Sequence, residues 1–200
     1  MRLIVGGDSY IGSALHGLWS KRGVACSAST RKELLSPADC LTIDLEKRIW
    51  PTQLEKYSIA IICAGINDVS VCENNVEFTR KVNVDGVIAL ARGLSKNGTS
   101  LYLLSSTRVF DGSKPFPKTT SKLCPVTEYG RQKAEVEVEF LKLSGCYIIR
   151  ITISNFYFTV SSTLLISLFI LNSNVIANEY NLKVMNDAIY SSKFNLPGIS

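Results

Sequence analysis

The stretch Leu3-Ile4-Val5-Gly6-Gly7-Asp8-Ser9-Tyr10-Ile11-Gly12 decides the fold of this chain. Its apolar start predicts a strand, its glycines predict a turn, and the helical spacing of Ile11, Leu15 and Leu18 predicts a helix. A dinucleotide-binding loop requires this order, because glycines let the backbone approach a pyrophosphate and the helix N-terminus attracts its charge. Ser9 interrupts the usual glycine spacing, and a plain tight turn is the alternative. The predicted cofactor contacts of this loop are Gly6, Ser9, Tyr10, Ile11 and Gly12.

A second strand is predicted over residues 24–28, and polar and basic residues follow it. An NAD-binding unit places Asp or Glu about twenty residues beyond the glycine loop to bind the ribose 2′-hydroxyl. This chain has Thr30 and Arg31 in that region. Because a guanidinium suits a 2′-phosphate through paired hydrogen bonds, the sequence favours NADP, with NAD as the alternative. A solvated turn at Arg31 is the competing interpretation.

Two further strand ends point to the same cofactor. A short strand over residues 41–45 ends in an acid, so Asp44 and Leu45 are predicted to lie near the adenine, with a simple strand-end cap as the alternative. Residues 59–63 form a continuous apolar run of the kind that is buried on both faces of a parallel sheet. Small residues at its end would let the chain pass beneath the cofactor, which adds Cys63, Ala64 and Gly65 to the predicted contacts.

The candidate catalytic pair is Tyr129 and Lys133, which open a helix predicted to run through Leu143. Residues four apart lie on the same helix face, and a nearby ammonium group favours the phenolate form of a tyrosine. Thr127 is predicted to cap this helix. A strand over residues 100–104 delivers Ser106 to the sheet edge, where its hydroxyl would bind a substrate carbonyl.

Strands alternate with helices from Met1 to the strand predicted over residues 147–151. This alternation predicts a Rossmann-like, doubly wound parallel sheet with helices on both faces, so residues 1–151 form an NAD(P)-binding domain. Residues 152–200 are interpreted as an apolar remnant of a substrate lobe or an irregular tail. No charged residue occurs in the 28 positions from Ile151 to Asn178. Serine, threonine and asparagine dilute this run, which favours a buried or partner-facing segment over a membrane span.

Composition argues against several classes of function. The net charge of +5 arises from 22 basic and 17 acidic residues without a basic run, which speaks against a nucleic-acid surface and fits an anionic small ligand. His16 is the only histidine, so Ser-His-Asp and multi-histidine metal sites are excluded. The six cysteines form no C-x-x-C pair and are interpreted as reduced core residues. No charged leader precedes the first strand, so a cytoplasmic location is expected.

In their order and separation these motifs resemble the extended, sugar-nucleotide branch of the short-chain dehydrogenase/reductase superfamily. The similarity is greatest to the dTDP-4-dehydrorhamnose reductases and to relatives among the NAD-dependent epimerase/dehydratases. It covers roughly residues 1–151 and rests on five segments, which are Gly6-x-x-Ser9-x-x-Gly12, Cys63-Ala64-Gly65, Val82-Asn83-Val84-Asp85-Gly86, Leu104 through Gly112, and Tyr129-Gly130-Arg131-Gln132-Lys133.

This resemblance implies a role for each catalytic candidate. Tyr129 would protonate the carbonyl oxygen as hydride arrives from the nicotinamide, and Lys133 would lower the tyrosine pKa and hold the nicotinamide ribose. Ser106 would orient the carbonyl. Asn83 matches a helix position that supports the active site, although from its place in the helix alone a solvent-facing side chain is equally expected.

Three functional hypotheses follow. The first is NADP-dependent reduction of a keto group on a nucleotide-linked sugar, the second is an epimerase or dehydratase, and the third is a non-catalytic NAD(P)-binding or regulatory subunit. Two departures from the reductase pattern bear on them: Ser9 replaces a glycine, and Thr107-Arg108 replaces an Asp-Tyr pair. Enzymes of this branch also usually carry a longer substrate lobe, which is expected to be truncated or absent here. A homodimer and a complex with a partner subunit both stay open.

Overall fold

The structure is a computed structural model that describes residues 1–32, 40–115 and 117–151. Six parallel strands form one sheet in the order β3-β2-β1-β4-β5-β6. The strands are β1 (Arg2–Val5), β2 (Cys26–Thr30), β3 (Cys40–Thr42), β4 (Ile59–Ile62), β5 (Ser100–Ser106) and β6 (Cys146–Ile151). The helices are α1 (Tyr10–Lys21), α2 (Val69–Asn74), α3 (Val76–Arg80), α4 (Val87–Lys96) and α5 (Glu128–Phe140). The predicted doubly wound parallel fold is confirmed.

Both faces of the sheet are buried because successive strand side chains point in opposite directions. Leu3 and Val5 of β1 pack into a cluster with α4 and α5 that includes Leu90. Ile4, between them, packs on the other face with Trp19 of α1. The continuous apolar runs of the sequence therefore contribute side chains to two hydrophobic cores, one on each face of the sheet.

The chain runs outward from β1 in two directions, first through β2 to β3 and then through β4 to β6. β1 is paired in register with β2 on one side and with β4 on the other. In parallel sheets of this kind, ligands bind beyond the carboxyl ends of the strands where the order reverses. The glycine loop after Val5 and the Cys63-Ala64-Gly65 segment both lie at that position.

Several predicted boundaries were wrong by two or three residues. β2 begins at Cys26 because the Val24 N–H donates to Trp19 O (3.0 Å) and so still belongs to the turn after α1. β3 ends at Thr42 because Asp44 forms an antiparallel bridge with Ile49 instead of continuing the parallel ladder.

β5 continues to Ser106 because it pairs with β6 along its whole length. α5 ends at Phe140 because the Leu143 N–H donates back to Phe140 O (3.1 Å), a tighter turn than the helix allows. Turn hydrogen bonds and strand pairing set these ends, and neither is visible in hydrophobic spacing.

A helical segment links α3 to α4 through a π-helical turn at Lys81–Gly86. Such turns are often found at functional sites. Gly86 meets the carbonyl oxygen of Leu45 so closely that a Cβ atom would overlap it. The backbone angles of Gly86 are helical (φ −67°, ψ −44°), so this contact, and not the backbone conformation, requires glycine there.

Two other expectations concern burial. Cys72 is fully buried, as predicted, but Cys124 is exposed, so the assignment of the cysteines to the core was wrong for that residue. Within the described ranges, no helix has the length and apolar character needed to cross a membrane. The apolar segment after Ile151 and the predicted second region, residues 152–200, lie outside the described residues.

We predict that Gly86→Ala lowers the free energy of unfolding by about 1–3 kcal/mol, because the methyl group must displace the Leu45 carbonyl. Gly17→Ala is the matched control, since nothing among the described residues lies within 4 Å of the added Cβ atom. Removing that helical glycine should stabilise the protein by up to about 1 kcal/mol. Urea unfolding of both variants measures the difference, and equal effects would contradict the assigned contact.

Candidate active site

The glycine loop is held in place by Ser9. Its hydroxyl donates to Gly6 O (2.7 Å) and accepts from the Gly12 N–H (3.1 Å), so it caps α1. Gly6 has a φ of 85°, a conformation that favours glycine, and a Cβ on Gly12 would overlap Gly6 O. Ser9 has an extended backbone (φ −73°, ψ 159°), so the loop does not need a glycine at that position.

A cavity of about 240 Å³ opens beside this loop. The predicted adenosine contacts Thr30, Arg31, Asp44 and Leu45 all line it. Asp8 also lines this cavity, and its carboxylate accepts a hydrogen bond from Thr30 Oγ1 (3.2 Å). The sequence interpretation did not select Asp8, although it lies within the quoted glycine stretch.

A second cavity, of about 530 Å³, continues from the first through shared lining residues. Ser9, Ala64 and Gly65 belong to both. The larger cavity also receives predicted residues from four different parts of the chain, namely Tyr10, Ile11, Cys63, Ser106, Tyr129 and Lys133. The structure thus places the glycine loop and the candidate catalytic residues along one cleft.

Tyr129 lies in the first turn of α5, which Thr127 caps by accepting from the Gly130 N–H (3.1 Å), as predicted. The tyrosine side chain is buried at the base of the cleft. Burial raises the pKa of Tyr129 to about 12, whereas a hydrogen bond with the Ser106 side chain and the positive charge of Arg108 lower it. The phenol therefore stays protonated at neutral pH.

Lys133 is buried one turn further along α5, and its Nζ donates to Leu104 O (3.1 Å). Burial lowers the pKa of Lys133 to about 8, although the Glu137 carboxylate counteracts this shift. The Nζ atom lies 5.9 Å from the centre of the Tyr129 ring. In this structure desolvation of the phenol has the largest effect on the pKa of Tyr129, and the expectation that Lys133 lowers this pKa stays a prediction.

Asn83 does not line either cavity but is buried behind the cleft. Its amide accepts from the Ile66 N–H (2.7 Å) and donates to Ile66 O (2.9 Å) and to Gln132 Oε1 (2.9 Å). The solvent-facing alternative was therefore wrong. Asn83 ties the segment after Gly65 to the helix that carries Tyr129 and Lys133.

Some cavity residues were not selected from the sequence. Asn67, Ser105 and Arg108 line the larger cavity. Ser105 Oγ is buried without a hydrogen-bond partner among the described residues. Ser105 and Arg108 flank the predicted Ser106, and the strand-end position could have indicated both. Asn67 lies in a segment with no such signal.

Comparison with protein families shows to which family the chain belongs. The RmlD substrate binding domain family matches residues 1–189. This chain belongs to that family. The family match continues beyond Ile151, where the motifs of the resemblance end.

Two proteins that are similar in sequence to this RmlD-family chain have different names. The dTDP-4-dehydrorhamnose reductase of Aggregatibacter actinomycetemcomitans is 35% identical over 95 residues, which cover 47% of this chain and 32% of that protein. Methionine adenosyltransferase 2 subunit beta of Bos taurus is 30% identical over 96 residues, which cover 48% of this chain and 29% of that protein. The chain thus matches about a third of the length of these relatives.

Solved structures share the fold. A dTDP-4-dehydrorhamnose reductase from Clostridium acetobutylicum superposes with a TM-score of 0.71 at 20% identity, covering 87% of this chain and 71% of its own. The Bordetella bronchiseptica enzyme WbmG, in complex with NAD and UDP, superposes with a TM-score of 0.61 at 21% identity, covering 77% and 53%. Both support the Rossmann-like architecture described above.

The buried ammonium of Lys133 predicts a pH-dependent stability. Its pKa falls from 10.5 when exposed to about 8 in the fold, so between these values the unfolded chain binds more protons and stability rises with pH. At about 1.4 kcal/mol per pH unit, the free energy of unfolding gains up to about 3 kcal/mol over this range. The stability of the wild-type protein relative to Lys133→Met should therefore increase by up to that amount between pH 7 and pH 10.

Urea unfolding at several pH values measures this change. Lys96→Met, which alters an exposed lysine in the last turn of α4, should give a difference from the wild type that is nearly constant with pH. A constant difference for Lys133→Met as well would contradict the assigned burial of the charge.

Proposed function

We propose that this RmlD-family chain carries out the NADP-dependent reduction of a keto group on a nucleotide-linked sugar. The observation that carries the proposal is the arrangement of Tyr129, Ser106 and Lys133 around a cavity that continues to the glycine loop. The name of the relative from Aggregatibacter actinomycetemcomitans, dTDP-4-dehydrorhamnose reductase, supports the same class of reaction.

The residues of the cleft fit a dinucleotide. Gly6 lines the smaller cavity and Ser9 lines both, so the loop at the N-terminus of α1, which would attract a pyrophosphate, borders the cleft. Gly12 lines neither cavity, and its contact with Gly6 O requires glycine there. At the other end of the cleft, the unpartnered hydroxyl of Ser105 offers a hydrogen bond to a ligand. The complex of WbmG with NAD and UDP supports a dinucleotide in this fold.

The proton chemistry follows from the environment of Tyr129. When bound, the reduced nicotinamide supplies the hydride that adds to the carbonyl carbon. Ser106 donates a hydrogen bond to the carbonyl oxygen and orients it toward Tyr129. The Tyr129 hydroxyl gives its proton to that oxygen, so the product is an alcohol. The Lys133 ammonium lies near enough to stabilise the resulting phenolate.

An epimerase or dehydratase would use the same residues. Such an enzyme begins by oxidising an alcohol, for which the tyrosine acts as a base. Burial raises the pKa of Tyr129 to about 12, but an ordinary tyrosine, with a pKa of about 10, is also protonated at neutral pH, so the protonation state fits both reactions. The reductase is the first candidate because two relatives carry the name dTDP-4-dehydrorhamnose reductase, and the epimerase or dehydratase is the second.

The choice of NADP rests on Arg31, whose side chain is exposed at the rim of the adenosine cavity. Three carboxylates line the same cavity, from Asp8, Asp44 and Glu46. They would repel a 2′-phosphate, and Asp8 could accept a hydrogen bond from a 2′-hydroxyl. These acids support NAD as the alternative cofactor, as does the presence of NAD in the WbmG complex.

A non-catalytic subunit is the third candidate. The relative named methionine adenosyltransferase 2 subunit beta supports it, because that name describes a subunit of a different enzyme. This candidate predicts dinucleotide binding without turnover of a nucleotide sugar.

We predict that Tyr129→Phe reduces the rate of NADPH oxidation with dTDP-4-dehydrorhamnose by about 10²- to 10⁴-fold, because the proton donor is lost. NADPH affinity should change little, since the ring remains. Tyr57→Phe is the control, because it removes the hydroxyl of a buried tyrosine that does not line either cavity. Absorbance at the NADPH band measures the reaction.

Other outcomes select the other candidates. Isomerisation of the sugar without net NADPH oxidation would indicate an epimerase. Tight NADPH binding with no turnover by the wild-type protein, and no effect of Tyr129→Phe, would indicate a binding subunit.

We predict that Arg31→Gln weakens NADPH binding about tenfold and leaves NADH binding unchanged, because a charge-assisted contact to the 2′-phosphate is lost. Lys32→Gln removes the same charge one residue further, outside the lining of the cavity, and should affect neither cofactor. Fluorescence titration with NADPH and NADH measures both. A wild-type preference for NADH that Asp8→Asn reduces would show that the carboxylates, and not Arg31, select the cofactor.

A further inference from the structure

Arg108 extends from a rigid point beside the catalytic residues. It lies in the single 3₁₀ turn at Thr107–Val109 that follows β5. Its backbone N–H donates to Ser106 Oγ (3.2 Å). Its carbonyl oxygen packs against Gly130, where a Cβ atom would overlap it. The start of the Arg108 side chain is therefore fixed relative to Ser106 and to the first turn of α5.

The charge of Arg108 is available to a ligand. Its side chain is exposed, and within the described part of the chain the guanidinium has no ion pair or hydrogen bond. No Asp or Glu is among the described residues that line the larger cavity. The other cation there, Lys133, is buried and donates to Leu104 O. Asp111 lines another cavity together with Arg108, but its carboxylate accepts from the N–H and the hydroxyl of Ser113.

Arg108 shares the larger cavity with the reacting groups. Arg108, Ser106 and Tyr129 all line it, and the carbonyl oxygen of Arg108 packs against Gly130, the neighbour of Tyr129 in the chain. An oxyanion that meets the guanidinium would therefore share this cavity with the carbonyl that Tyr129 protonates. A planar guanidinium binds a carboxylate or a phosphate through two parallel hydrogen bonds.

A sugar nucleotide offers two such oxyanions, the diphosphate and, in an acidic sugar, a carboxylate. In a 4-keto sugar the diphosphate is attached across the ring from the carbonyl carbon. A carboxylate on the neighbouring ring carbon lies beside the carbonyl. The position of Arg108 near Tyr129 favours the carboxylate.

We propose that Arg108 is a specificity residue that binds a carboxylate carried by the sugar next to its keto group. This inference rests on the proposed function and adds to it a preference for acidic over neutral nucleotide sugars. Arg108 is also one of two adjacent positions at which the sequence departs from the Asp-Tyr pair of the rhamnose reductases. At this position the guanidinium of Arg108 therefore stands in place of the neutral phenol of the tyrosine.

UDP-glucuronate and UDP-glucose test the inference, because they share the nucleotide and diphosphate and differ in a carboxylate. Calorimetric titration of the full chain with saturating NADP⁺ should show UDP-glucuronate binding about tenfold more tightly. Arg108→Gln should abolish that preference while UDP-glucose binding persists, and Arg108→Lys should keep part of it. Arg92→Gln, which removes an exposed arginine on α4, should leave both affinities unchanged.

Unchanged NADP⁺ affinity shows that Arg108→Gln has kept the fold. An equal loss of both ligands in that variant would assign Arg108 to the diphosphate and overturn the proposal. Equal wild-type affinities, or no effect of the substitution, would also overturn it while the proposed reductase function stands. A wild-type protein that binds neither ligand and oxidises no NADPH with dTDP-4-dehydrorhamnose would instead refute the proposed function itself.

Discussion

A backbone carbonyl presses against a glycine at three points around the cleft. Gly6 O meets Gly12 of α1, Leu45 O meets Gly86 in the π-helical turn, and Arg108 O meets Gly130 of α5. Each contact excludes a side chain and lets a strand-end loop lie directly on a helix. The cleft depends on these approaches, because the glycine loop, the segment at Leu45 and the turn at Arg108 are positioned through them. Interiors are close-packed, so no rearrangement can easily accommodate an added methyl group.

Behind this frame, a buried amide network holds the two sides of the cleft together. The Asn83 amide hydrogen-bonds to both the N–H and the carbonyl oxygen of Ile66, and it also donates to Gln132. The Gln132 amide in turn donates to Thr79 (2.9 Å). Asparagine is a modest helix former, and its presence in the π-helical turn is explained by these contacts. Partly satisfied polar groups are costly in an interior, which is why the network fixes one arrangement of α5 relative to the segment after Gly65.

The electrostatics of the cleft result from burial more than from pairing. Tyr129 and Lys133 are both buried, so each is held closer to its neutral form, with pKa values of about 12 and about 8. The lysine hydrogen-bonds to Leu104 O rather than to the phenol. A protonated tyrosine beside Ser106 is suited to donate a proton to a carbonyl oxygen, as the proposed reduction requires. Arg108 is the exposed charge of this region and acts on the same phenol from the solvent side.

The sequence alone determined the parallel sheet, its glycine loop and the residues that meet in the cleft, because strand ends in such a sheet all open on one edge. It also determined the Thr127 cap. Only the tertiary structure placed Asp8 beside Thr30, buried Asn83 against Ile66, and set the strand ends by pairing and turn hydrogen bonds. The pKa of Tyr129 was likewise decided by the fold, since desolvation depends on what surrounds a group and not on the residue four positions away. Helical spacing brings Lys133 to the same face as Tyr129, but its ammonium donates a hydrogen bond to the carbonyl oxygen of Leu104, on β5.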